Sequence, residues 1–381
     1  MNMYRKFIAY FLLFITLIIS GNTMASFFNT SLNAEEFQSR ISGKEKESIL
    51  SNIEIADFIL QVDKINDITF KNSKWTNINA SKKIFENIRF EDCELTNVNF
   101  RNITLINVIF SNCKLKNVVM NDAVLRGVSF IDSKLVSTDP NIDNNYLELD
   151  IDKVLFKNSE LTNIGFYKSK GVFVFDEAKL NDVSGQSLKA GSALFFNRVD
   201  GFDLDFSRSN LSTLEVKSST IKNSKANGCT IGKLLFDQSD LDFPISDGIK
   251  FDSVNSKNTG NVVIAGTPTK KTYISGCPKS TRILMVGGDK FGAINIQNCN
   301  PSEIILFESI GDYISIENVT VSVLDFRLST IEHLKLNNVH IRNKLYYDST
   351  TVKKLEATNI SFGENMKHRH KDANIEIKAD K

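Results

Sequence analysis

The sequence has few of the residues that enzymes and metalloproteins use for chemistry. It holds four His, five Cys, one Trp and five Pro in 381 residues. It has no Gly-rich phosphate loop, no nucleophile elbow, no zinc-protease helix motif and no CxxC pair. The spacing of the cysteines fits no zinc pattern. We therefore expect no catalytic residue, no cofactor and no metal site, in a protein that is not an enzyme.

An excess of charge is also lacking. The chain has 46 Lys and Arg against 45 Asp and Glu, which gives a net charge of +1. Proteins that bind nucleic acid usually present a basic surface, and proteins that mimic it need an acidic one. The balance favours neither, so no nucleic-acid partner is expected. Hydrophobic residues make up 41% of the chain, which is ordinary for a folded protein.

A five-residue repeat dominates the sequence. A period of five fits neither a helix nor a flat strand. Residues two before each large apolar centre are mostly small or β-branched, and those two after are Asn, Asp or Gly, which tolerate tight turns. The pattern predicts a chain that turns a corner every five residues and stacks its coils about 4.8 Å apart. The first unbroken row of centres is Phe90, Leu95, Phe100, Leu105, Phe110, Leu115, Met120, Leu125, Phe130 and Leu135.

The phase of the repeat breaks and recovers further along the chain. Polar, turn-rich residues near 136–150 predict a loop, and the centres resume one residue late at Phe156. The phase slips again at Phe175, and from Leu194 a register holds to about Tyr346. Gly and Pro collect near residues 256–281 and predict irregular coils there. The later centres that we expect to point inward include Phe206, Leu211, Phe236, Leu241, Phe326, Ile331 and Leu336.

Two stretches show the repeat most clearly, Cys93-Glu94-Leu95-Thr96-Asn97 and Ala123-Val124-Leu125-Arg126-Gly127. Their outer positions match the motif of the pentapeptide-repeat family, and the chain resembles that family. The second position is looser than the family's preference for Asp or Asn. The resemblance implies an all-β fold, a right-handed four-sided β-helix with four repeats to a coil. It implies little about function, since one fold hosts many functions.

The N-terminus has the layout of a secretory signal. Arg5 and Lys6 precede an apolar run, residues 7–19, and small residues at Thr23 and Ala25 mark a peptidase site. We expect cleavage after Ala25, export across the inner membrane of a bacterium, and a periplasmic or secreted protein. Contact with the membrane would then be transient. The alternative is an uncleaved anchor, for which the run is short.

The signal and the repeat together divide the chain. Residues 1–25 form the signal peptide, and residues 26–52 a tail with a short helix, capped by Asn33 and ending at Gly43. That helix should cover the open first coil with Phe37 and Ile41. Residues 53–362 form the β-helix, and residues 363–381 are a polar tail, expected to fray.

The four histidines each allow a functional and a structural interpretation. His368 and His370 lie in the basic tail, where they could hold a metal weakly or be solvated. His333 and His340 fall on outward or turn positions, where a surface role is expected.

The acid pairs and two further features also leave alternatives open. Asp203 with Asp205, and Asp240 with Asp242, could project together as catalytic carboxylates of a polysaccharide-active enzyme, or reflect the family's preference for acids beside a centre. The Asn and Asp turn row could bind a cation or a glycan, or pair with itself. Two cysteines at equivalent positions of stacked coils could form a disulfide or serve as small inward fillers: Cys93 and Cys113.

These observations favour an exported, non-enzymatic rod that acts as a protein-interaction or scaffold module, with a secreted effector as one form of that role. Its partner would be another protein or a cell-envelope component, and its oligomeric state stays open. Two alternatives are a DNA mimic that protects a topoisomerase, a role the family resemblance brings in, and a polysaccharide-active β-helix enzyme. The charge balance and the export signal argue against the first, and the five-residue period argues against the second.

Overall fold

The computed structural model describes residues 30–42, 46–138, 146–226, 228–237, 239–241, 250–257, 267–276, 282–286, 290–364, 366–369, 371, 373 and 376–377. The predicted signal peptide and its cleavage site at Ala25 lie outside these residues. Within them, one short helix accompanies a stack of parallel strands, and no helix is long and apolar enough to cross a membrane.

The strands form two sheets whose members are contributed by successive coils. The first sheet contains β1 (Thr30–Ser31), β3 (Ile53–Ala56), β5 (Lys74–Thr76), β7 (Glu94–Thr96), β10 (Lys114–Lys116), β13 (Lys134–Val136), β15 (Glu160–Gly165), β17 (Lys179–Ser184), β19 (Asp200–Asp205), β21 (Thr220–Lys222) and β23 (Asp240–Leu241). The second sheet contains β2 (Ile49–Ser51), β4 (Lys64–Lys71), β6 (Ile84–Glu91), β8 (Thr104–Ile106), β9 (Ile109–Ser111), β11 (Val124–Arg126), β12 (Val128–Ile131), β14 (Asp150–Lys157), β16 (Lys170–Asp176), β18 (Ser192–Asn197), β20 (Asn210–Lys217), β22 (Thr230–Asp237), β24 (Lys250–Lys257), β25 (Thr267–Ser275), β26 (Arg282–Val286), β27 (Lys290–Cys299), β28 (Glu303–Phe307), β29 (Ile310–Asp325), β30 (Thr330–Tyr346), β31 (Thr351–Phe362) and β32 (Lys367–Arg369).

The register between coils spans four repeats wherever the five-residue phase is intact. Phe90 pairs with Phe110, which pairs with Phe130. The next coil is longer, since Phe130 pairs with Phe156, and the one after it is shorter, since Phe156 pairs with Phe175. The all-β solenoid and its phase slips are therefore as the sequence predicts.

The turn row adopts the backbone conformation that its composition predicts. Asn97, Asn107 and Asn117 have φ values of 53°, 52° and 52°, in the left-handed region that Asn and Asp tolerate. Their amides form ladders from coil to coil: Asn97 Nδ2 donates to Asn77 Oδ1 at 3.0 Å, and Asn77 Nδ2 donates to Asp57 Oδ1 at 2.6 Å. The mutual pairing that we expected as one alternative is what the side chains show.

Phenylalanine rings fill the interior as a stack. The rings of Phe90 and Phe110 lie 4.8 Å apart at an angle of 3°, and those of Phe110 and Phe130 lie 4.8 Å apart at 5°. The spacing equals that of neighbouring strands, so each ring packs on the ring of the next coil. The predicted centres that the structure shows to be buried are Phe90, Leu95, Phe100, Leu105, Phe110, Leu115, Met120, Leu125, Phe130, Leu135, Phe206, Leu211, Phe326, Ile331 and Leu336.

Two further predicted centres lie in strands whose backbone register is known. Phe236 in β22 pairs with Val216, and Leu241 in β23 pairs with Ile221. Both partners are buried. The side chains of Phe236 and Leu241 lie outside the described part of the chain.

A helix, α1 (Ala34–Ile41), closes the N-terminal end of the solenoid as predicted. Asn33 Oδ1 accepts a hydrogen bond from the Glu36 amide at 2.9 Å, and Glu36 Oε2 accepts one from the Asn33 amide at 3.1 Å. Phe37 is fully buried, with its ring 5.5 Å from that of Trp75. Ser42 is the C-cap, and the predicted end at Gly43 lies outside the described residues.

The two irregular regions fall where composition predicts them. Between β13 and β14 the described residues form no strand, and residues 139–145 are not described, although Tyr146 and Leu149 are already buried. Near 256–281 the coil length changes, since Val254 pairs with Thr272, and Thr272 with Ile294. The described residues between Val136 and Asp150 thus agree with the predicted loop near 136–150.

The described residues of the C-terminal tail pack against the solenoid, contrary to the prediction that the tail frays. β32 pairs with β30, and Ile377 is fully buried. The Tyr347 hydroxyl accepts a hydrogen bond from the Ile377 amide at 3.1 Å and lies 2.8 Å from His368 Nε2. Buried hydroxyls are normally hydrogen-bonded, and these contacts supply the partners of Tyr347. The described tail residues therefore lie over the last coils.

The cysteines of the inward row are small buried fillers, and one further cysteine is oxidised. Cys93, Cys113 and Cys229 are buried and free. The hydrogen bond between the thiols of Cys113 and Cys93, together with burial, raises the pKa of Cys113. The alternative of a Cys93–Cys113 disulfide is therefore not what the structure shows. Cys299, in contrast, is disulfide-bonded.

Candidate interaction face

The solenoid buries its repeat centres and exposes only the residues between them. Successive side chains on a strand point to opposite sides of a sheet, so the neighbours of each inward centre face solvent. The corner amides are engaged in their own ladders. Within the described coils, the outward columns that run parallel to the solenoid axis therefore offer the most variable surface for contact with another molecule.

The acidic pair proposed for catalysis is engaged in structural contacts. Asp203 accepts a hydrogen bond from Asn223 Nδ2 as part of a corner ladder. Asp205 Oδ1 accepts from the Ser207 amide at 2.9 Å, and its Oδ2 accepts from Gln186 Nε2 at 2.9 Å. The side chain of Asp240 and all of Asp242 lie outside the described part of the chain. The carboxylates of Asp203 and Asp205 therefore stabilise a corner ladder and a turn.

Each of the three described histidines has a partner of its own. His333 Nε2 lies 3.2 Å from Glu356 Oε1, and its ring packs edge-on against Tyr313. His340 Nδ1 lies 2.8 Å from Ser361 Oγ. His368 packs on Tyr347, and His370 is outside the described residues. Among the described residues no group of three or more His, Cys, Asp or Glu could hold a metal ion.

One face of the solenoid, which we call the charged face, consists of the outward residues of the first sheet. The column that precedes its centres contains charges of both signs. Lys74 Nζ lies 2.9 Å from Glu54 Oε1, Lys114 Nζ 3.1 Å from Glu94 Oε1, and Lys134 Nζ 2.9 Å from Glu160 Oε2. The hydrogen bond and charge of Lys134 hold the pKa of Glu160 below its usual value. These exposed pairs add little stability, but they leave the face neutral overall.

The equivalent column on the adjacent face, in the second sheet, is largely apolar. Strand pairing aligns Ile109 with Ser129, Ser129 with Leu155, Leu155 with Val174, and Val174 with Phe195. All five side chains are partly exposed. We call Ile109, Leu155, Val174 and Phe195 the apolar column.

Charged residues bound the apolar column at both ends. Arg89 pairs with Ile109 at one end, and Glu215 pairs with Phe195 at the other. Ile131 and Val172, partly exposed in neighbouring columns, widen the apolar surface. Five coils at about 4.8 Å per step give the column a length of roughly 19 Å. An exposed apolar strip with a charged boundary is typical of a protein interaction site.

Sequence reasoning missed the apolar column because it followed the inward rows. The signal was available as an apolar residue one position before a Phe centre, as in Leu155 before Phe156 and Phe195 before Phe196. Irregular coil lengths hide it, because the members of the column recur at unequal spacings along the chain. Only the strand pairing shows that they lie side by side.

Comparisons with known proteins identify the repeat. A family profile described as "Pentapeptide repeat region" matches residues 63–139 and 83–166. Among solved structures, HetL, a pentapeptide repeat protein involved in heterocyst differentiation regulation from the cyanobacterium Nostoc, is similar. It is 12% identical, the match covers 60% of this chain and 94% of that one, and the TM-score is 0.22. No protein with a curated description matches the sequence.

Proposed function

Since the chain belongs to the pentapeptide-repeat family, we propose that it is an exported, non-enzymatic rod whose apolar column binds another protein. The observation that carries this proposal is the column itself. Hydrophobic residues at solvent-facing positions over five coils contribute nothing to the interior, which the inward rows already fill. Their burial against a partner would be favourable by roughly 25 cal/mol per Å².

The partner that fits best presents an apolar stripe of its own. The apolar column is straight, about 19 Å long and one residue wide, with partly exposed neighbours. An amphipathic helix of about 13 residues has that length, at about 1.5 Å per residue, and lays one apolar face along such a strip. A protein of the cell envelope or a target of a secreted effector would both satisfy this description.

The alternatives receive less support from the geometry. DNA mimicry needs a continuous acidic strip, whereas the charged face pairs Lys with Glu along the solenoid. Polysaccharide cleavage needs two free carboxylates that face a substrate, whereas Asp203 and Asp205 accept hydrogen bonds from the protein itself.

The partner is best tested by placing charge on the apolar column. In the variant Val174→Lys/Phe195→Lys, two cations replace apolar contacts, and we expect at least tenfold less partner recovered after cross-linking and affinity purification. The matched control adds two lysines to the charged face, Thr96→Lys/Thr220→Lys, and should retain the partner. Both variants should melt like the parent, because all four positions face solvent. Equal recovery of every partner with both variants would contradict the proposal.

Export is supported by the signal layout and by the disulfide at Cys299, since disulfides persist in oxidising compartments. We expect fractionation to place the protein outside the cytoplasm and mass spectrometry to find it shortened by about 25 residues. Denatured but unreduced protein should show three free thiols, those of Cys93, Cys113 and Cys229, and five after reduction, matching its five cysteines. Leu13→Arg should retain the precursor inside, whereas Leu95→Met should be exported normally. Full-length cytoplasmic protein with five free thiols would refute export.

A further inference from the structure

A hollow of about 320 Å³ lies on the charged face, where β15, β17 and β19 run side by side. Leu161 and Leu180, both inward centres, lie beneath it. Two outward columns form its walls. One wall consists of Glu160, Lys179 and Asp200, and the other of Thr162, Asn181 and Phe202.

Phe202 is a large aromatic residue at an outward position of the repeat. It is 48% exposed, whereas Phe175, Phe196 and Phe206 are buried in the same coils. Residues at the same outward position in neighbouring coils are polar, Asn181 before it and Lys222 after it. A large ring at this point packs no interior space, and it presents an aromatic surface beside the hollow.

The polar residues of the hollow keep free hydrogen-bonding capacity. Within the part of the chain that the structure describes, no hydrogen bond or ion pair engages the side chains of Thr162, Asn181 or Asp200. The corner amides, in contrast, are paired with one another. A hydroxyl, an amide and a carboxylate are thus held by three neighbouring strands of a rigid sheet, and all remain available to a ligand.

An exposed ring next to unpaired hydroxyl, amide and carboxylate groups matches the chemistry of a sugar. A pyranose with equatorial hydroxyls has an apolar face of C–H groups, whose partial positive charge is attracted to the face of an aromatic ring. Its hydroxyls donate to carboxylates and accept from amides. The hollow is at the small end of ligand sites, which run from about 300 to 1,000 Å³, and so suits one or two rings.

We propose that this hollow binds a neutral, β-linked oligosaccharide, with one sugar ring stacked on Phe202 and its hydroxyls paired with Asn181 and Asp200. The site is separate from the apolar column, which lies on the adjacent face. Glu160 forms an ion pair with Lys134, and the cation of Lys179 stands beside the carboxylates of Glu160 and Asp200 in the same column, so the surroundings favour an uncharged ligand.

The test uses the mature chain, residues 26–381, with cellohexaose and chitohexaose as probes in calorimetric titrations up to about 10 mM, a range that detects millimolar binding. We expect at least one probe to bind, Phe202→Ala to weaken it at least tenfold, and Asn181→Ala to weaken it severalfold. Phe195→Ala, which removes an outward ring from the apolar column, is the matched control and should bind the sugar normally.

Substitutions at the two sites are expected to affect sugar binding and partner binding independently. Phe202→Ala should still capture the protein partner, and Phe195→Ala should lose affinity for that partner while keeping the sugar. Neither substitution removes interior packing, so unchanged melting temperatures are expected for both. Absence of binding with both probes, or equal affinity of the parent and Phe202→Ala, would overturn the sugar site and leave the proposed interaction role untouched.

Discussion

The variant Phe110→Asp is expected to unfold the central coils. Phe110 is fully buried, and its ring stacks between those of Phe90 and Phe130 at 4.8 Å on each side. Loss of a buried Phe side chain alone costs about 3–5 kcal/mol, and an unpaired buried carboxylate adds several kcal/mol more. Each coil is stabilised chiefly by its neighbours, so the defect spreads to both sides. Urea denaturation followed by circular dichroism should show loss of the native transition.

Lys116→Asp is the control for this prediction. Lys116 is exposed and lies directly after the buried centre Leu115, so a change of its charge touches only solvent. We expect the free energy of unfolding in urea to change by about 0.5 kcal/mol or less. Equal damage from the two substitutions would contradict the assignment of inward and outward positions.

The variant Gly171→Val is expected to destabilise the solenoid by about 4 kcal/mol or more. Gly171 lies where the coil loses one residue, since Asp150 pairs with Lys170 but Lys153 pairs with Val172. Its φ of 146° is a conformation that favours glycine, and an added Cβ would lie 2.3 Å from the backbone oxygen of Ile151. Backbone atoms cannot move aside as a flexible side chain can. Thermal unfolding should show a large fall in melting temperature.

Gly191→Ala separates the steric part of this effect from the conformational part. Gly191 also has a positive φ, 89°, but the nearest atom to an added Cβ is Lys170 Cε at 3.9 Å. Only the conformational cost then applies, about 1–3 kcal/mol. A Gly171→Val variant no less stable than Gly191→Ala would show that the backbone at this register shift can rearrange. The proposed role of Gly171 would then be wrong.

The apolar column and the hollow beside Phe202 both consist of outward residues, which the repeat constrains least. Inward positions must be apolar or small in every coil, and corners must accept a left-handed backbone, so neither can vary much. Outward positions carry no such constraint, because the solenoid tolerates almost any type of side chain at a position that faces solvent. Phe195 and Phe202 are close in the chain, yet they serve different faces because a corner separates them at Arg198.

The interior of this protein could be predicted from its sequence. Five-residue periodicity identified inward centres such as Phe110, Leu115 and Leu336, because burial in a narrow solenoid depends on a residue's position within its own repeat. It also located the capping helix, since the reciprocal hydrogen bonds of Asn33 and Glu36 are local in sequence.

Which outward residues become neighbours could be read only from the folded chain. That depends on the length of every intervening coil, and coils of unequal length bring Leu155, Val174 and Phe195 together. A shift of one residue in a strand turns each side chain to the other face, so composition alone cannot place such a column. The folded tail depends on long-range contacts in the same way, because the buried hydroxyl of Tyr347 acquires its partners only when the chain returns to it.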